Sequence, residues 1–323
     1  MSKSSSAPTD KTALDRVFTP AHLEALARLP QDQHASHALE VLTAHGPAPS
    51  NAVRAVRLKS ARALRAAWEV YLDAAEACDL LDAEMVGYLR SNDAEKFRGA
   101  IAEGCAAWLL AGKLGHPVGP RPKGRNGKVL DMAVRVGTTD INVEVKAPRV
   151  ASLNDEWKVR ELLQSKLDNA GQKFEEGQCN VLVLYPQFPT ALHVRREPLT
   201  EAFIAEEKYF VPVAMHDDVE PSAAPYSGFE LSGKLLRPKS KPVQGEVTIP
   251  QFTRVSAIVS IEERLHPSIL DLEECMFAEV KHEVLVVHNP HALVPLSEEL
   301  FSDYPQFVRR GDVMFWNDKL EAP

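Results

Sequence analysis

Three side chains of this chain, Asp131, Glu144 and Lys146, have types and spacing that could do chemistry together. They fall in the stretch Lys128 to Pro148, KVLDMAVRVGTTDINVEVKAP, where two apolar-alternating segments flank Gly137-Thr138-Thr139-Asp140. That pattern predicts a β-hairpin. A turn over those four residues sets Val136 opposite Ile141, Ala133 opposite Glu144 and Asp131 opposite Lys146. Side chains alternate along a strand, so Asp131, Glu144 and Lys146 share one face, and Met132, Val134, Val143 and Val145 share the other. A lone charge among strand residues is costly to bury. Two carboxylates with a lysine therefore point to a hard divalent cation beside a cationic side chain. The competing reading is a plain Asp131–Lys146 cross-strand ion pair, worth ~0.2–1 kcal/mol.

The tripeptide (D/E)-x-K occurs four times, at Glu144-Val145-Lys146, Glu156-Trp157-Lys158, Glu206-Glu207-Lys208 and Glu279-Val280-Lys281. Composition alone gives roughly two or three matches, so the letters carry little and the context decides. Glu156 and Glu206 fall in polar, helix-like stretches. Glu279 precedes a strand pattern, but the aspartate upstream of it, Asp271, lies in DLEEC, which has no strand character. Only Glu144 ends a strand with an aspartate on the strand before it.

The flanking elements must position this hairpin. Asp93 to Lys113 reads as a helix with Asn92 or Asp93 as N-cap, Gly115 at its end, and Phe97, Ile101, Cys105, Trp108 and Ala111 as its apolar stripe. Glu103 lies off that stripe, on a face with Gly99, Ala106 and Ala107. Asp155 to Phe174 reads as a second helix, with Leu163, Leu167, Ala170 and Phe174 as its apolar face. The run Val181-Leu182-Val183-Leu184-Tyr185 then suggests a strand buried on both faces.

Asp131, twelve intervening residues and Glu144-Val145-Lys146 resemble the D…(D/E)-x-K signature of the PD-(D/E)xK nuclease superfamily, with Leu130 where the motif name has a proline. The resemblance spans roughly residues 95 to 186, and hairpin, crossover helix and buried strand come in the order it requires. It implies an α/β fold with a restriction-endonuclease-like core, a mixed central sheet flanked by helices. It implies a Mg²⁺ (or Mn²⁺) ion held by Asp131, Glu144 and the Val145 backbone carbonyl, with Lys146 positioning or deprotonating a water. Members of the superfamily often carry an acidic residue on the preceding helix. Glu103 matches that position as a further ligand and Glu95 matches it less well, while a solvated glutamate is the plain alternative. Gln172 resembles the glutamine that the crossover helix offers in many members, although Lys166 and Lys173 are better oriented by helical spacing.

The activity implied is hydrolysis of phosphodiester bonds in DNA, with an endonuclease of restriction, defence or repair type expected and RNA also compatible. The alternative is a catalytically silent protein of the same fold that binds nucleic acid or a protein partner. A homodimer or partner protein is compatible with either.

Net charge is −8 over 323 residues, with 45% hydrophobic and 25% charged residues, an ordinary balance for a globular protein. Local positive charge bears more directly on a nucleic-acid partner. Arg121, Lys123, Arg125 and Lys128 occupy the loop before the hairpin without a carboxylate, and with Lys166 and Lys173 they are the candidate phosphate contacts. Arg54, Arg57, Arg62 and Arg65 share one arc of a helix expected from about Asn51 to Leu81, which reads as a phosphate-contacting face or a solvated one. His288-Asn289-Pro290-His291 reads as a strand-end turn with His288 buried rather than a metal site. Trp157, Phe315 and Trp316 could stack on bases or pack in the core.

No apolar run reaches the ~18 residues of a membrane span. The four cysteines are scattered, without zinc or disulfide spacing, and a cytoplasmic setting is expected. The expected organisation is a disordered tail (1–18), an N-terminal helical region (19–90), the nuclease-like core (91–189) and a C-terminal extension (190–323). The extension holds a loop-rich or β-insertion at about 211–250 and further strands at Val255–Ile261 and Glu283–His288.

Overall fold

The computed structural model describes residues 11–29, 33–45, 52–149, 156–186, 206–210, 226–230, 252–267, 278–310 and 313–317. The expected tail at 1–10, most of the insertion at 211–250 and the acidic segment at 271–274 lie outside the described residues. So do the side chains of Arg54, Trp157 and Phe315.

In chain order the helices are α1 (Ala13–Val17), α2 (Pro20–Ala27), α3 (Gln33–Leu42), α4 (Ala52–Ala77), α5 (Ala83–Leu89), α6 (Ala94–Ala107) and α7 (Glu156–Gly171). The strands are β1 (Val118–Gly119), β2 (Met132–Val136), β3 (Thr139–Lys146), β4 (Cys179–Leu184), β5 (Glu206–Phe210), β6 (Tyr226–Glu230), β7 (Ala257–Pro267), β8 (Ala278–His288), β9 (Gln306–Arg310) and β10 (Val313–Asn317). The protein is mixed α/β. Eight strands form one sheet in the order β1-β2-β3-β4-β7-β8-β9-β10, and β5 pairs with β6 in a separate antiparallel ribbon. The sheet itself is mixed: β3, β4 and β7 run parallel, as do β8 and β9, while β1–β2 and β9–β10 are antiparallel. No helix among the described residues is long and apolar enough to cross a membrane.

The chain forms two compact units. The first comprises Met1–Pro122, Asp131–Thr139 and Glu263–Glu283, and the second Lys123–Leu130, Asp140–Glu262 and Val284–Pro323.

In the first unit the chain is helical from Ala13, within the stretch assigned to the tail, because Thr12 caps α1 and Leu14 and Val17 are buried. Thr19 caps α2 and Pro20 takes its first position, where proline's missing N–H is no loss. Asp93 caps α6 through the amide hydrogens of Glu95 and Lys96. Every residue of α6 from Ala100 to Ala107 is buried, so this helix is enclosed on all sides rather than along one stripe. Small residues allow that enclosure: a Cβ on Gly104 would come within 3.2 Å of the Tyr71 carbonyl oxygen on α4. The helix continues from Trp108 to Lys113 as a π-helical turn, which the apolar periodicity did not signal.

In the second unit α7 and the turn after it place Leu163, Leu167, Ala170 and Phe174 in a core with Leu182, Leu184, Val255, Ile258, Leu285, Val287 and Phe307. All four predicted apolar positions of that helix are buried. Leu130, where the sequence departs from the motif, is fully buried in the same core. Both predicted C-terminal strands fall in the main sheet, as β7 and β8. β9 and β10 extend it further.

Three local expectations are corrected. The hairpin turn is Gly137-Thr138, two residues rather than four, with Gly137 at φ 58°, a backbone state that suits glycine in tight hairpins. The register that set Asp131 opposite Lys146 therefore does not hold. The segment from Glu206 is a strand, not helix-like: Glu206 to Phe210 pairs residue by residue with Glu230 to Tyr226. Finally α7 ends at Gly171 instead of running to Phe174: the Lys173 amide turns back to the Ala170 carbonyl, and the Lys173 carbonyl accepts from the Arg125 amide outside the helix.

Candidate functional site

The second unit holds the acidic centre. β3 is buried from Ile141 to Val145 and paired in parallel with β4 from Ile141↔Cys179 to Lys146↔Leu184. Alternation along it puts Asn142, Glu144 and Lys146 on one face. Asn142 donates to the Asn180 side chain at 3.0 Å, and Asn180 in turn donates to the Glu175, Gln178 and Arg254 carbonyls. This network fixes the start of both strands. Two residues on, the Glu144 carboxylate is fully buried and its Oε1 accepts from two ammonium groups. One is Lys146, its neighbour on the same face. The other is Lys173, whose Nζ is 2.6 Å away and which belongs to the turn after α7. The two lysine side chains are 25% and 26% exposed, so the trio opens to solvent on the lysine side only.

The loop before the hairpin is anchored to that turn. Lys123 bridges Val129, and the Gly124 amide donates to the Lys128 carbonyl at 2.7 Å, closing a small turn. The Arg125 amide donates to the Lys173 carbonyl at 2.7 Å. Lys123, Arg125 and Lys128 are exposed, as a phosphate contact requires. Gln172, expected in the catalytic set, is exposed beyond the helix end, where its Oε1 accepts from Lys128 Nζ at 3.5 Å. Lys166 is half-buried on α7. Lys173, expected among the nucleic-acid contacts, is held on Glu144. Sequence spacing could not pair these residues, because 29 positions separate them and the tertiary fold alone brings them together.

The first unit holds Asp131 and Glu103. Asp131 stands just before β2 and is half-buried. Glu103 is 8% exposed and paired with Arg121 at 3.1 Å, which settles against the solvated-glutamate alternative. Asp82 lies 3.4 Å from the same guanidinium. Burial opposes the Arg121 charge, but Glu103, then Asp82, Glu84 and Asp131, outweigh it and raise its pKa. Arg121 is thus held by acids of its own unit rather than presented as a phosphate contact. Arg65 is engaged too, by the Leu42 carbonyl, Asp15 and Glu69.

A second polar cluster of this unit has no counterpart in the sequence reading. Tyr71 donates to Glu263 and bonds His282 Nε2, with Trp108 4.3 Å from the His282 ring. Burial, then the charge of Lys113, pushes the His282 pKa down to about 4. β8 ends at His288 ahead of a turn, as expected, but His288 is half-buried rather than buried and is bonded to Gln306 at 2.7 Å. Trp316 packs against the core of the second unit. Cys78, Cys105 and Cys179 are buried free thiols.

Among the described residues no group of three or more His, Cys, Asp or Glu side chains is gathered to hold a metal. Mg²⁺ does not need one: it binds through one or two carboxylates, with waters and substrate phosphates filling the other positions. Glu144 is a donor of that kind, so the residues fit sparse Mg²⁺ ligation and not an all-protein cage.

The fold and centre thus define a mixed α/β protein with a buried carboxylate between two lysines. Comparison with protein-family models, with curated proteins and with solved structures finds no match.

Proposed function

We propose that the chain is a Mg²⁺-dependent (or Mn²⁺-dependent) nuclease of the PD-(D/E)xK type, hydrolysing phosphodiester bonds of DNA. The observation that carries this reading is the Glu144 carboxylate, fully buried on a central strand and accepting from both Lys146 and Lys173. A charged group is buried at such a place only with partners. An ion pair needs one lysine; a second one beside it suits a site that meets anionic phosphate.

Glu144 and the Val145 carbonyl would hold the ion, and Asp131 is the further ligand that the superfamily resemblance implies. Glu103 stays a candidate ligand only if it exchanges Arg121 for the ion. When bound, Mg²⁺ polarises a phosphoryl oxygen and lowers the pKa of a bound water. Lys146 positions that water and offsets charge growing on the phosphoryl oxygens in the transition state. Its side chain is already bonded to Glu144 Oε1 and so held in place, which suits it to positioning. Lys173 adds a second positive charge from the opposite element. Lys123, Arg125 and Lys128 supply the sequence-independent grip on the backbone.

The test is cleavage of plasmid and single-stranded DNA with Mg²⁺ or Mn²⁺ by wild type beside Asp131→Asn, Glu144→Gln and Lys146→Ala. Metal-dependent nicking lost in all three folded variants supports the reading. A second reading, a silent nucleic-acid-binding protein of the same fold, is favoured by Glu144 already having its charge balanced by lysines. DNA binding without cleavage, unaffected by the three substitutions, would decide for it.

A further inference from the structure

The loop Lys123–Leu130 meets the turn after α7 unusually closely. A Cβ on Gly124 would lie well inside contact distance of the Lys173 carbonyl oxygen, and 3.2 Å from two side-chain carbons of Leu130. Backbone cannot yield there as a flexible side chain could, so glycine is required. The next residue uses that approach: the Arg125 amide donates to the same Lys173 carbonyl at 2.7 Å. Lys128 Nζ reaches the neighbouring Gln172 side chain at 3.5 Å. The carbonyl so gripped belongs to the residue whose ammonium group holds Glu144. One short loop therefore carries three exposed cations and fixes the backbone of a residue in the acidic centre.

We propose that Lys123–Leu130 is a phosphate-gripping latch whose seat on the Lys173 carbonyl sets how Lys173 meets Glu144, with Gly124 as the positioning residue. Its phosphate half rests on the nuclease reading; its mechanical half does not. A phosphate backbone on Lys123, Arg125 and Lys128 pulls on a segment tied by main-chain contact to Lys173. Substrate engagement thereby steadies the second cation of the centre where negative charge arrives. The partner this loop fits is a phosphodiester backbone, since its three cations are exposed around one tight turn and no carboxylate lies among them.

Two variants isolate the seat. Gly124→Ala adds the colliding Cβ. Arg125→Pro removes the donating N–H at the first position of a helical turn, where proline's fixed φ is accommodated. Gly127→Ala is the control, because it strains the same loop at φ 71° while its Cβ meets nothing within 4 Å. Acylation of lysines by an N-hydroxysuccinimide ester, read by peptide mass spectrometry on the full chain, reports Lys173 directly. In wild type Lys173 reacts more slowly than exposed Lys128. Either seat variant should raise the Lys173 rate about tenfold, as expected for loss of a charged hydrogen bond, while Gly127→Ala changes it by less than about twofold.

A 20-nucleotide DNA added without metal should slow Lys123 and Lys128 in wild type and slow Lys173 further. Two seat variants are used so that one that fails to fold leaves the other to decide. Equal Lys173 rates across wild type, the folded seat variants and the control would overturn the latch. A selective Lys173 response in a wild type that cleaves nothing would support the latch and count against the nuclease reading alone.

Discussion

Lys173 Nζ lies 2.6 Å from Glu144 Oε1, the oxygen that also accepts from Lys146. One lysine comes from the strand of the carboxylate itself and the other from the turn beyond the crossover helix. Two ammonium groups face one buried carboxylate, whose charge is therefore balanced before any ligand arrives. The lysines are the partly exposed members and are open to an arriving anion. The centre binds a divalent cation only if acidic ligands or substrate phosphates come with it.

Glu144→Gln keeps the shape of the side chain and removes its charge. Breaking a buried pair costs about 3–5 kcal/mol. Each lysine keeps a quarter of its side-chain surface exposed, and that solvent access reduces the expected loss to about 2–3 kcal/mol. A urea melt should show the midpoint falling with an unchanged slope. An unchanged midpoint would mean that water already screens the trio.

Arg121 and Arg125 stand four residues apart and should behave oppositely. Arg121→Ala takes the guanidinium from Glu103 and Asp82. It should destabilise the protein by about 1–2 kcal/mol, with an effect on oligonucleotide affinity below about twofold. Arg125→Ala, at an exposed position, should leave stability within about 0.5 kcal/mol. It should weaken DNA binding severalfold and make the salt dependence shallower by about one charge. Fluorescence anisotropy over a salt series separates the two. Equal losses of affinity would return Arg121 to the phosphate-contacting set.

Metal binding can be read without turnover. A ligand that binds only the native state at ten times its Kd stabilises it by about 1.4 kcal/mol. Titrating Mg²⁺ should raise the melting temperature of wild type and not that of Glu144→Gln. A rise of the same size in both would place the ion elsewhere.

Local signals in the sequence were read correctly where the chain itself sets the answer. Asp93 as N-cap, the apolar face of α7 and the double burial of β4 follow from neighbours within a few positions. The grouping of Glu144 and Lys146 on one face needed only the two-residue period. Lys173 on Glu144 was not legible, because it depends on where α7 stops, and a backbone contact from Arg125 helps to fix that point. The four-residue turn was misjudged for a related reason: Thr139 and Asp140 look turn-like alone but are drawn into β3. Tyr71 and His282 are 211 positions apart and gave no sequence signal.

His282 supplies a prediction about acid. Its folded-state pKa is pushed down to about 4 from the ordinary 6.5, chiefly by burial and then by Lys113. Between those values the unfolded chain binds the proton and the folded one does not. Stability from this group is therefore complete above about pH 6.5, and falls as pH drops toward 4, by at most about 3 kcal/mol. Tyr71 has one hydroxyl proton and gives it to Glu263, so the neutral ring must donate its Nε2–H to Tyr71. His282→Gln keeps a donor there and cannot titrate. Its stability relative to wild type, compared by urea melts at pH 7 and pH 4.5, should improve on acidification. Parallel pH profiles would show that the ring is already solvated and that this cluster contributes nothing to acid sensitivity.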